Sequence, residues 1–289
     1  MIKVYNAKKY YGQARGIEDV TLQVNPGEIF GFVGPNGAGK TTLIRVLVGL
    51  LELTDGDCFI FDEPVTIGNR HLNKEIGYML SESFFFNELK VKDIIHFFKK
   101  MRHAHQEYID FLIERLDIDV DKKFGALSFG NKKKIGIMVA LMHQPKLLIL
   151  DEPTSGLDPL IQSRFIEILQ DVKSKGTTVL LSSHVLSEIE RVCDRVALIK
   201  EGVIIFTKSM EEIQKEEHKR LMVMPNYQNL RIEGLSYLKD ENGYSHYTYQ
   251  GDINLLLHYV AQYKFKDFIL RNIDLSELFA IYYEKEVTP

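Results

Sequence analysis

The 289-residue sequence contains no tryptophan and only two cysteines, Cys58 and Cys193. So few cysteines exclude a disulfide framework and favour a reducing compartment. Long apolar runs are also missing: the longest stretch that we find without Asp, Glu, Lys or Arg, residues 176–187, is shorter than the roughly 18–20 residues of a membrane-spanning helix. The beginning of the sequence, MIKVYNAKKYYG, lacks the apolar core of a signal peptide. We therefore expect a protein of the cytoplasm.

An excess of positive charge is absent too, since the formal net charge is −4 at pH 7. Proteins dedicated to nucleic acid usually carry a basic excess, so we expect no nucleic-acid partner. Hydrophobic residues make up 45% of the chain and charged residues 26%, as in ordinary globular proteins. This balance excludes a disordered or collagen-like chain, and the length allows one large domain or two smaller ones.

Short apolar runs alternate with helix-like segments in the first half of the chain, which is typical of α/β folds. The predicted strands cover residues 28–33, 147–150 and 178–182, and the predicted helices cover 41–51 and 160–173. Between them, residues 85–144 show no convincing strand and predict an inserted helical subdomain. Its helices are expected at residues 91–101, 107–116 and 132–142.

The last part of the chain predicts a small α+β accessory domain, and we place the domain boundary between residues 210 and 211. A hairpin turn is expected at Asn242 and Gly243, a pair that favours the tight turn between two strands. Its strands are predicted at 221–224, 230–232, 244–249 and 268–271, and its helices at 253–263 and 275–283. The larger domain then spans 1–210 and the accessory domain spans 211–289.

A glycine-rich segment between the first predicted strand and helix fits the P-loop pattern G-x-x-x-x-G-K-[ST]. Its glycines allow backbone N–H groups to converge on a phosphate at a helix N-terminus. Lys40 would reach the β- and γ-phosphates, and the Thr41 hydroxyl would bind Mg²⁺. We assign nucleotide binding to Gly34, Pro35, Asn36, Gly37, Ala38, Gly39, Lys40, Thr41 and Thr42.

Two carboxylates, Asp151 and Glu152, follow the predicted strand at 147–150. An Asp at such a strand end can hold Mg²⁺, as the Walker-B Asp does. Glu152, one residue further on, is suited to act as a general base toward an attacking water. An acidic turn after a strand is common, but together with the P-loop this pair predicts a nucleotide-hydrolysing site.

Four further segments match the motifs of a known family: over residues 1–210 the chain resembles the ATP-binding subunits of ABC transporters. Residues 127–131, LSFGN, resemble the signature loop, and 155–158, SGLD, resemble the D-loop. His184 stands at the position of the switch histidine, and Tyr11 at that of the aromatic ring that stacks on adenine, with Tyr10 beside it as the alternative. The resemblance implies an α/β fold with a P-loop NTPase core of the ABC ATPase type.

The same resemblance implies a mechanism and partners. Two such subunits pack head to tail around two ATP molecules, so Ser128 and Gly130 would contact the γ-phosphate bound by the partner subunit. Asp158 would belong to the nucleotide site, and His184 would orient the γ-phosphate. ATP and Mg²⁺ are the implied cofactors, and a separate membrane permease and a second ATPase subunit, identical or different, are the implied partners. The subunit would therefore lie on the cytoplasmic face of the membrane.

Within the family the resemblance points to exporters of drugs, antimicrobial peptides and lantibiotics, and among those to exporters of amphipathic peptides such as phenol-soluble modulins. An alternative is an ABC-type ATPase that acts in translation or DNA repair. Translation-type members usually carry two ATPase domains, and repair-type members carry long coiled coils or zinc-binding cysteines. The single P-loop and the two cysteines disfavour that alternative.

Two departures from the family pattern affect the site. Phe129 and Asn131 replace a Gly and the Gln of the usual signature sequence LSGGQ. Ser81 stands where the family usually has a Gln or Glu that senses Mg²⁺ and the membrane partner, so either Glu82 beside it makes that contact or the contact is weaker in this chain. The lysines at 132–134 predict a solvated helix face, with electrostatic assistance near the phosphates as the alternative.

Overall fold

The computed structural model describes residues 1–68, 72–79, 86–215, 218–225 and 229–284. The chain divides into two compact units, Met1–Ser209 and Met210–Pro289. Within the described ranges, no helix has the length and apolar character needed to cross a membrane.

The first unit contains ten strands and seven α-helices in its described residues. The strands are β1 (Ile2–Tyr11), β2 (Ala14–Val24), β3 (Ile29–Val33), β4 (Asp55–Ile60), β5 (Glu63–Pro64), β6 (Ile76–Met79), β7 (Leu147–Asp151), β8 (Thr178–Ser183), β9 (Arg195–Lys200) and β10 (Val203–Ser209). The helices are α1 (Lys40–Leu47), α2 (Leu72–Glu75), α3 (Val91–Arg102), α4 (Gln106–Arg115), α5 (Phe129–Leu141), α6 (Pro159–Ser174) and α7 (Leu186–Val192).

A six-stranded sheet of order β10-β9-β3-β8-β7-β6 forms the centre of the first unit. All its neighbouring strands are parallel except β10, which pairs antiparallel with β9. Every residue of β3, β7 and β8 is buried, as expected for parallel strands covered on both faces. Val33 pairs with Ser183, and Asp151 pairs with Ser182. The carboxyl ends of three strands therefore meet at one edge of the sheet.

A second sheet, of order β2-β1-β4-β5, is antiparallel throughout and was not foreseen from the sequence. The pairing of β1 with β2 runs from Ile2 opposite Val24 to Tyr11 opposite Ala14 and contains three register shifts. These irregularities interrupt the alternation of apolar and polar residues that identifies a strand. The hairpin places Tyr11 at its tip.

The predicted helices at 91–101, 107–116 and 132–142 correspond to α3, α4 and α5. Between residues 86 and 144 the structure contains no strand, and an isolated bridge joins Lys90 to Lys123. α5 begins at Phe129, three residues before its predicted start, because the Ser128 hydroxyl accepts a hydrogen bond from the Asn131 N–H at 3.3 Å and caps the helix there.

The second unit is an α+β structure whose sheet has the order β12-β13-β11-β14. Its elements are α8 (Met210–Lys215), β11 (His218–Met224), β12 (Leu235–Glu241), β13 (Tyr244–Gln250), α9 (Ile253–Val260), β14 (Asp267–Asn272) and α10 (Leu275–Glu284). Asn242 and Gly243 connect β12 to β13 with φ values of 53° and 82°, which confirms the predicted hairpin turn. The strand predicted at 230–232 is wrong: the chain begins that strand at Leu235.

Candidate nucleotide-binding and hydrolysis site

The loop between β3 and α1 leaves the N-terminus of the helix open. Gly39 is the N-cap residue of α1, has φ 107°, and provides no side-chain cap. A Cβ atom at Gly39 would lie 2.6 Å from the Gly16 carbonyl oxygen, so no larger residue fits there. The first amides of α1 and the positive end of its dipole are therefore available to an anion.

Lys40 lines the cleft beside this loop and is 5% exposed. Its Nζ donates to the Gly34 carbonyl at 2.6 Å and to the Pro35 carbonyl at 3.1 Å. The same atom lies 3.3 Å from Oε1 of Glu152. The ammonium is thus held between the P-loop backbone and the carboxylate that follows β7.

Thr41 and Asp151 form a pair of oxygen groups next to Lys40. The Thr41 hydroxyl donates to Oδ2 of Asp151 at 2.8 Å, and the Ser182 hydroxyl donates to Oδ1 at 2.6 Å. Asp151 is fully buried at the end of β7. A hydroxyl and a carboxylate oxygen are suitable ligands for Mg²⁺, which prefers oxygen and takes its remaining ligands from water and phosphate. The donor set therefore fits the magnesium ion that the sequence predicts.

Glu152 and His184 form the second pair of the cleft. Oε2 of Glu152 lies 2.6 Å from Nδ1 of His184, and the Glu152 side chain is 16% exposed whereas that of His184 is 49% exposed. The Glu152 N–H donates to the Ser182 hydroxyl at 3.1 Å, and Glu152 has φ 50°. The backbone turns sharply at this residue, so that successive carboxylates, Asp151 and Glu152, serve different parts of the site.

Tyr11 lines the cleft and lies at the tip of the β1–β2 hairpin. Its ring is 45% exposed, and its hydroxyl lies 3.4 Å from the Thr42 hydroxyl. The Tyr10 hydroxyl instead donates to Glu18 and is not among the cleft residues. Of the two tyrosines that the sequence left open, Tyr11 lines the cleft and Tyr10 does not, so Tyr11 stays our candidate for the ring that stacks on adenine.

The cleft as a whole has a volume of about 440 Å³, within the range of small-molecule sites. Its predicted lining residues are Tyr11, Pro35, Asn36, Gly37, Gly39, Lys40, Thr41, Thr42, Glu152 and His184. Five further residues that the sequence analysis did not place there also line it: Arg15, Gly16, Phe129, Lys133 and Ser155. Sequence patterns gave no signal for Arg15 and Gly16, whereas Ser155 begins the D-loop segment and Phe129 and Lys133 belong to or adjoin the signature segment.

Six predicted residues do not line the cleft. They are Gly34, Ala38, Ser128, Gly130, Asp151 and Asp158. Ala38 belongs to the hydrophobic core cluster, and Asp151 is hydrogen-bonded to Thr41, which does line the cleft. Glu82 falls outside the described residues.

The signature segment packs against the D-loop segment of the same chain. A Cβ atom at Gly130 would lie 2.3 Å from the Gly156 carbonyl oxygen, so only glycine permits this contact. Phe129 is 57% exposed next to it. Asp158 caps α6, because its Oδ1 accepts a hydrogen bond from the Ile161 N–H at 3.0 Å. Ser128 and Asp158 are therefore the N-cap residues of α5 and α6.

The lysines that follow the signature segment do not form a solvated face. Lys133 is 3% exposed and Lys134 is 6% exposed, so the interpretation of 132–134 as a solvated face is wrong for these two residues. Lys134 Nζ donates to the Asp117 carbonyl at 3.3 Å. Lys133 turns toward the nucleotide cleft, where its Nζ donates to the carbonyl oxygen of Glu152.

Comparison with known proteins shows the family of the chain. The chain matches the ABC transporter family over residues 17–155. It is 33% identical over 271 residues to the bacitracin transport ATP-binding protein BcrA of Bacillus licheniformis, covering 89% of this chain and 89% of that protein. It is 36% identical over 213 residues to the lantibiotic transport ATP-binding protein SrtF of Streptococcus pyogenes, covering 73% of this chain and 92% of that protein.

Solved structures share the fold of the first unit. An ATP-binding subunit of an ABC transporter matches with a TM-score of 0.68 and 27% identity over 74% of this chain and 92% of its own. A dimeric ATP-binding cassette in a post-hydrolysis state with ADP and Pi matches with a TM-score of 0.67 and 20% identity over 73% of this chain and 99% of its own. The chain belongs to the ABC transporter family as one of its ATP-binding, ATP-hydrolysing P-loop subunits. The predicted fold class is confirmed.

Proposed function

We propose that this chain is the ATPase subunit of an ABC exporter, which forms a dimer on ATP and drives export through a separate membrane permease. The observation that carries the proposal is one cleft lined by Lys40, Thr41 and the Glu152–His184 pair, with Asp151 hydrogen-bonded to Thr41 next to it. These groups are what phosphoryl transfer from ATP to water requires: a phosphate clamp, a metal site and a general base.

Phosphate binding is the task of Lys40 and the amides of the loop. The Lys40 ammonium donates to two carbonyls of the P-loop, which fixes its direction along the loop. A γ-phosphate carries more negative charge than the Glu152 carboxylate and would compete with it for this ammonium. Binding of ATP would thereby release Glu152 from Lys40 and leave it to act on water.

Magnesium would be held by the Thr41 hydroxyl and the Asp151 carboxylate, where it supplies neutralisation of the charge that develops on the β- and γ-phosphate oxygens. Ser182 fixes the other Asp151 oxygen at 2.6 Å. That hydrogen bond holds the carboxylate in one rotamer, so its remaining oxygen faces the phosphate site.

Hydrolysis then proceeds by attack of water on the γ-phosphorus. Glu152 accepts a proton from the water, the bond between the γ-phosphorus and the bridging oxygen breaks, and ADP leaves with the electron pair. His184, at 2.6 Å from Glu152, orients that carboxylate and contacts the γ-phosphate with its exposed ring.

The second half of each nucleotide site is proposed to come from the partner ATPase subunit. Ser128 accepts a hydrogen bond from Asn131, and its hydroxyl retains a proton that can be donated to a phosphate. The Gly130 amide and Asp158 lie next to it in the same surface region. Loss of the γ-phosphate on hydrolysis removes the contacts that hold the dimer closed.

The substrate class is supported by the relatives. The alignment with the bacitracin transport protein covers 89% of this chain, more than the 209 residues of the first unit, so it extends into the second unit. We infer that the exported substrate is an antimicrobial peptide or another amphipathic peptide, with phenol-soluble modulins as one such group. The subunit would then work at the cytoplasmic face of the membrane, bound to its permease.

The test is Glu152→Gln in the full-length chain. Loss of the general base should lower ATP turnover by about 10²–10⁴-fold, while ATP affinity stays close to that of the wild type and ATP traps the closed dimer. Turnover, fluorescent-nucleotide titration and size-exclusion chromatography with light scattering measure the three effects. Glu167→Gln is the matched control, because Glu167 pairs with Arg115 at the surface, outside the cleft.

The tagged Glu152→Gln protein, purified with ATP from detergent-solubilised membranes, also tests the transporter assignment. A multi-spanning membrane protein in stoichiometric amount supports it, and a second ATPase chain would show a heterodimer. Recovery of ribosomes or nucleic acid instead would favour the translation or repair alternative. Normal hydrolysis by Glu152→Gln would exclude the catalytic assignment.

A further inference from the structure

Lys133 is a buried cation of the cleft to which the mechanism above gives no role. It lies one turn into α5, is 3% exposed, and its Nζ donates to the carbonyl oxygen of Glu152. The same ammonium lies 5.2 Å from the centroid of the Phe129 ring. Lys133 thus connects the N-terminal part of α5, the helix that begins in the signature segment, to the main chain of Glu152, the proposed general base.

The charges around Lys133 explain why an ammonium is tolerated there. Burial lowers the pKa of Lys133, and the carboxylates of Glu152, Asp151 and Glu188 oppose that decrease. The face of the Phe129 ring offers a further favourable site for a cation. A buried cation is retained only where such partners compensate for the loss of water.

The main chain of Glu152 is fixed on both sides by side chains. Its N–H donates to the Ser182 hydroxyl at 3.1 Å, and its carbonyl oxygen accepts from Lys133. Its φ of 50° is uncommon for a residue other than glycine and needs support from the surrounding structure. Loss of the Lys133 bond would leave that carbonyl without this partner and allow the peptide after Glu152 to rotate.

We infer that Lys133 is a positioning residue for Glu152, which holds the main chain of the general base and links it to the helix that begins at the signature loop. This inference rests on the proposed function, since it gives a role to a neighbour of the proposed base. Phosphate contacts of Ser128 or Gly130 with the partner's nucleotide would thereby influence the base that acts on this subunit's own nucleotide.

The test compares Lys133→Met and Lys133→Arg with the wild-type full-length chain, and Lys132→Met is the matched control. Met keeps an unbranched side chain but has no donor, and Arg restores a charged donor. Lys132 lies 5.5 Å from the Phe124 ring and is not among the residues of the cleft. Steady-state kinetics give kcat and KM for ATP, and a fluorescent ATP analogue gives the affinity.

Lys133→Met should lower kcat about 10- to 100-fold, the effect of a small misplacement of a reacting group. KM and the affinity for the analogue should change less than about 2-fold, because the lost bond goes to the backbone and not to the nucleotide. Lys133→Arg should recover most of the lost kcat, and Lys132→Met should leave both constants unchanged.

Three results would overturn the inference. The first is a wild-type kcat for Lys133→Met, and the second is a raised KM with unchanged kcat for that variant, which would indicate direct contact with the nucleotide. The third is failure of Lys133→Arg to recover activity. Glu152→Gln in the same series separates the two proposals. If Glu152→Gln is inactive and Lys133→Met is normal, only the role of Lys133 fails. If Glu152→Gln turns over normally, both fail.

Phe129 provides an independent test of the link to the signature loop. Phe129→Ala removes the ring below the ammonium and should also lower kcat. If the ring acts through Lys133, the same substitution should have little further effect on kcat in the Lys133→Met background. Fully additive effects would contradict the link.

Discussion

The loops before α1 and α5 both contain glycine and both lead into a helix, but they use the first turn of that helix differently. The N-cap of α1 is Gly39, which has no side chain to occupy the helix amides. The N-cap of α5 is Ser128, whose hydroxyl accepts from the Asn131 N–H. The P-loop therefore leaves its helix amides open to a phosphate. The signature loop has one amide already occupied, so its proposed phosphate contact would depend mainly on the Ser128 hydroxyl.

The largest effect on ATP turnover is expected at Lys40, the side-chain cation next to the proposed phosphate site of the P-loop. Lys40→Met should lower ATP turnover on the order of 10²–10³-fold, the usual loss when one preorganised charge-stabilising group is removed. Nucleotide affinity should fall as well, since we propose that Lys40 binds the phosphates of ATP before the reaction. Steady-state kinetics and nucleotide titration measure both effects. Normal turnover by Lys40→Met would contradict the assignment of the P-loop as the main phosphate site.

A smaller effect, on association, is expected at the signature loop, where Ser128→Asp and Ser128→Ala should separate capping from phosphate binding. Asp is as good an N-cap as Ser, so Ser128→Asp should keep the thermal stability. Its negative charge would repel the partner's γ-phosphate and prevent the ATP-dependent dimer.

Ser128→Ala should have the opposite profile, with a stability loss of about 1 kcal/mol from the missing cap and a partly retained dimer. Light scattering with ATP in the Glu152→Gln background and thermal unfolding measure the two properties. A normal dimer in Ser128→Asp would show that this loop does not face a phosphate.

The smallest effect is expected at Asp158, which caps α6 as Ser128 caps α5. Asp158→Ala should lower the free energy of unfolding by about 1 kcal/mol. For a unit of this size that corresponds to a decrease in Tm of about 2–4 °C. Asp158→Asn keeps a capping oxygen and should unfold like the wild type, so any loss of ATP turnover in Asp158→Asn would reveal a role beyond the cap.

Local sequence patterns predicted the part of the site that depends on neighbours in the chain. A strand, a glycine-rich loop and a helix are consecutive around Lys40, and Asp151 is the last residue of a buried strand. The six-stranded sheet brings these strand ends together because its strands are parallel. The sequence therefore predicted that the P-loop and the Asp151–Glu152 pair belong to one site, although it gives no long-range contacts.

Lys133 could not be placed in the same way. The sequence shows three consecutive lysines at 132–134, and only the packing of α5 decides that Lys133 turns inward to the cleft. Helical periodicity separates the faces of a helix but does not tell which residue of another element each face meets. The contact with Glu152 spans 19 positions of the sequence and is a property of the tertiary structure.

The missed strands have a related cause. β12 begins at Leu235, and most of its side chains are exposed, so it lacks the alternation of apolar and polar residues that marks a half-buried strand. The short apolar run at 230–232 was the stronger local signal, yet Leu230 packs into the core of the second unit from outside the sheet. Burial alone does not distinguish a strand from a well-packed loop.

The backbone conformation of Glu152 affects which amino acids evolution would favour at this position. Its φ of 50° lies in the left-handed region, which is unfavourable by about 1 kcal/mol or more for a residue with a Cβ atom and is tolerated best by glycine and asparagine. Selection for heat resistance alone would therefore favour those two residues at position 152. Neither carries the carboxylate that we propose as the proton acceptor, so stability and turnover would select for different amino acids at this one site.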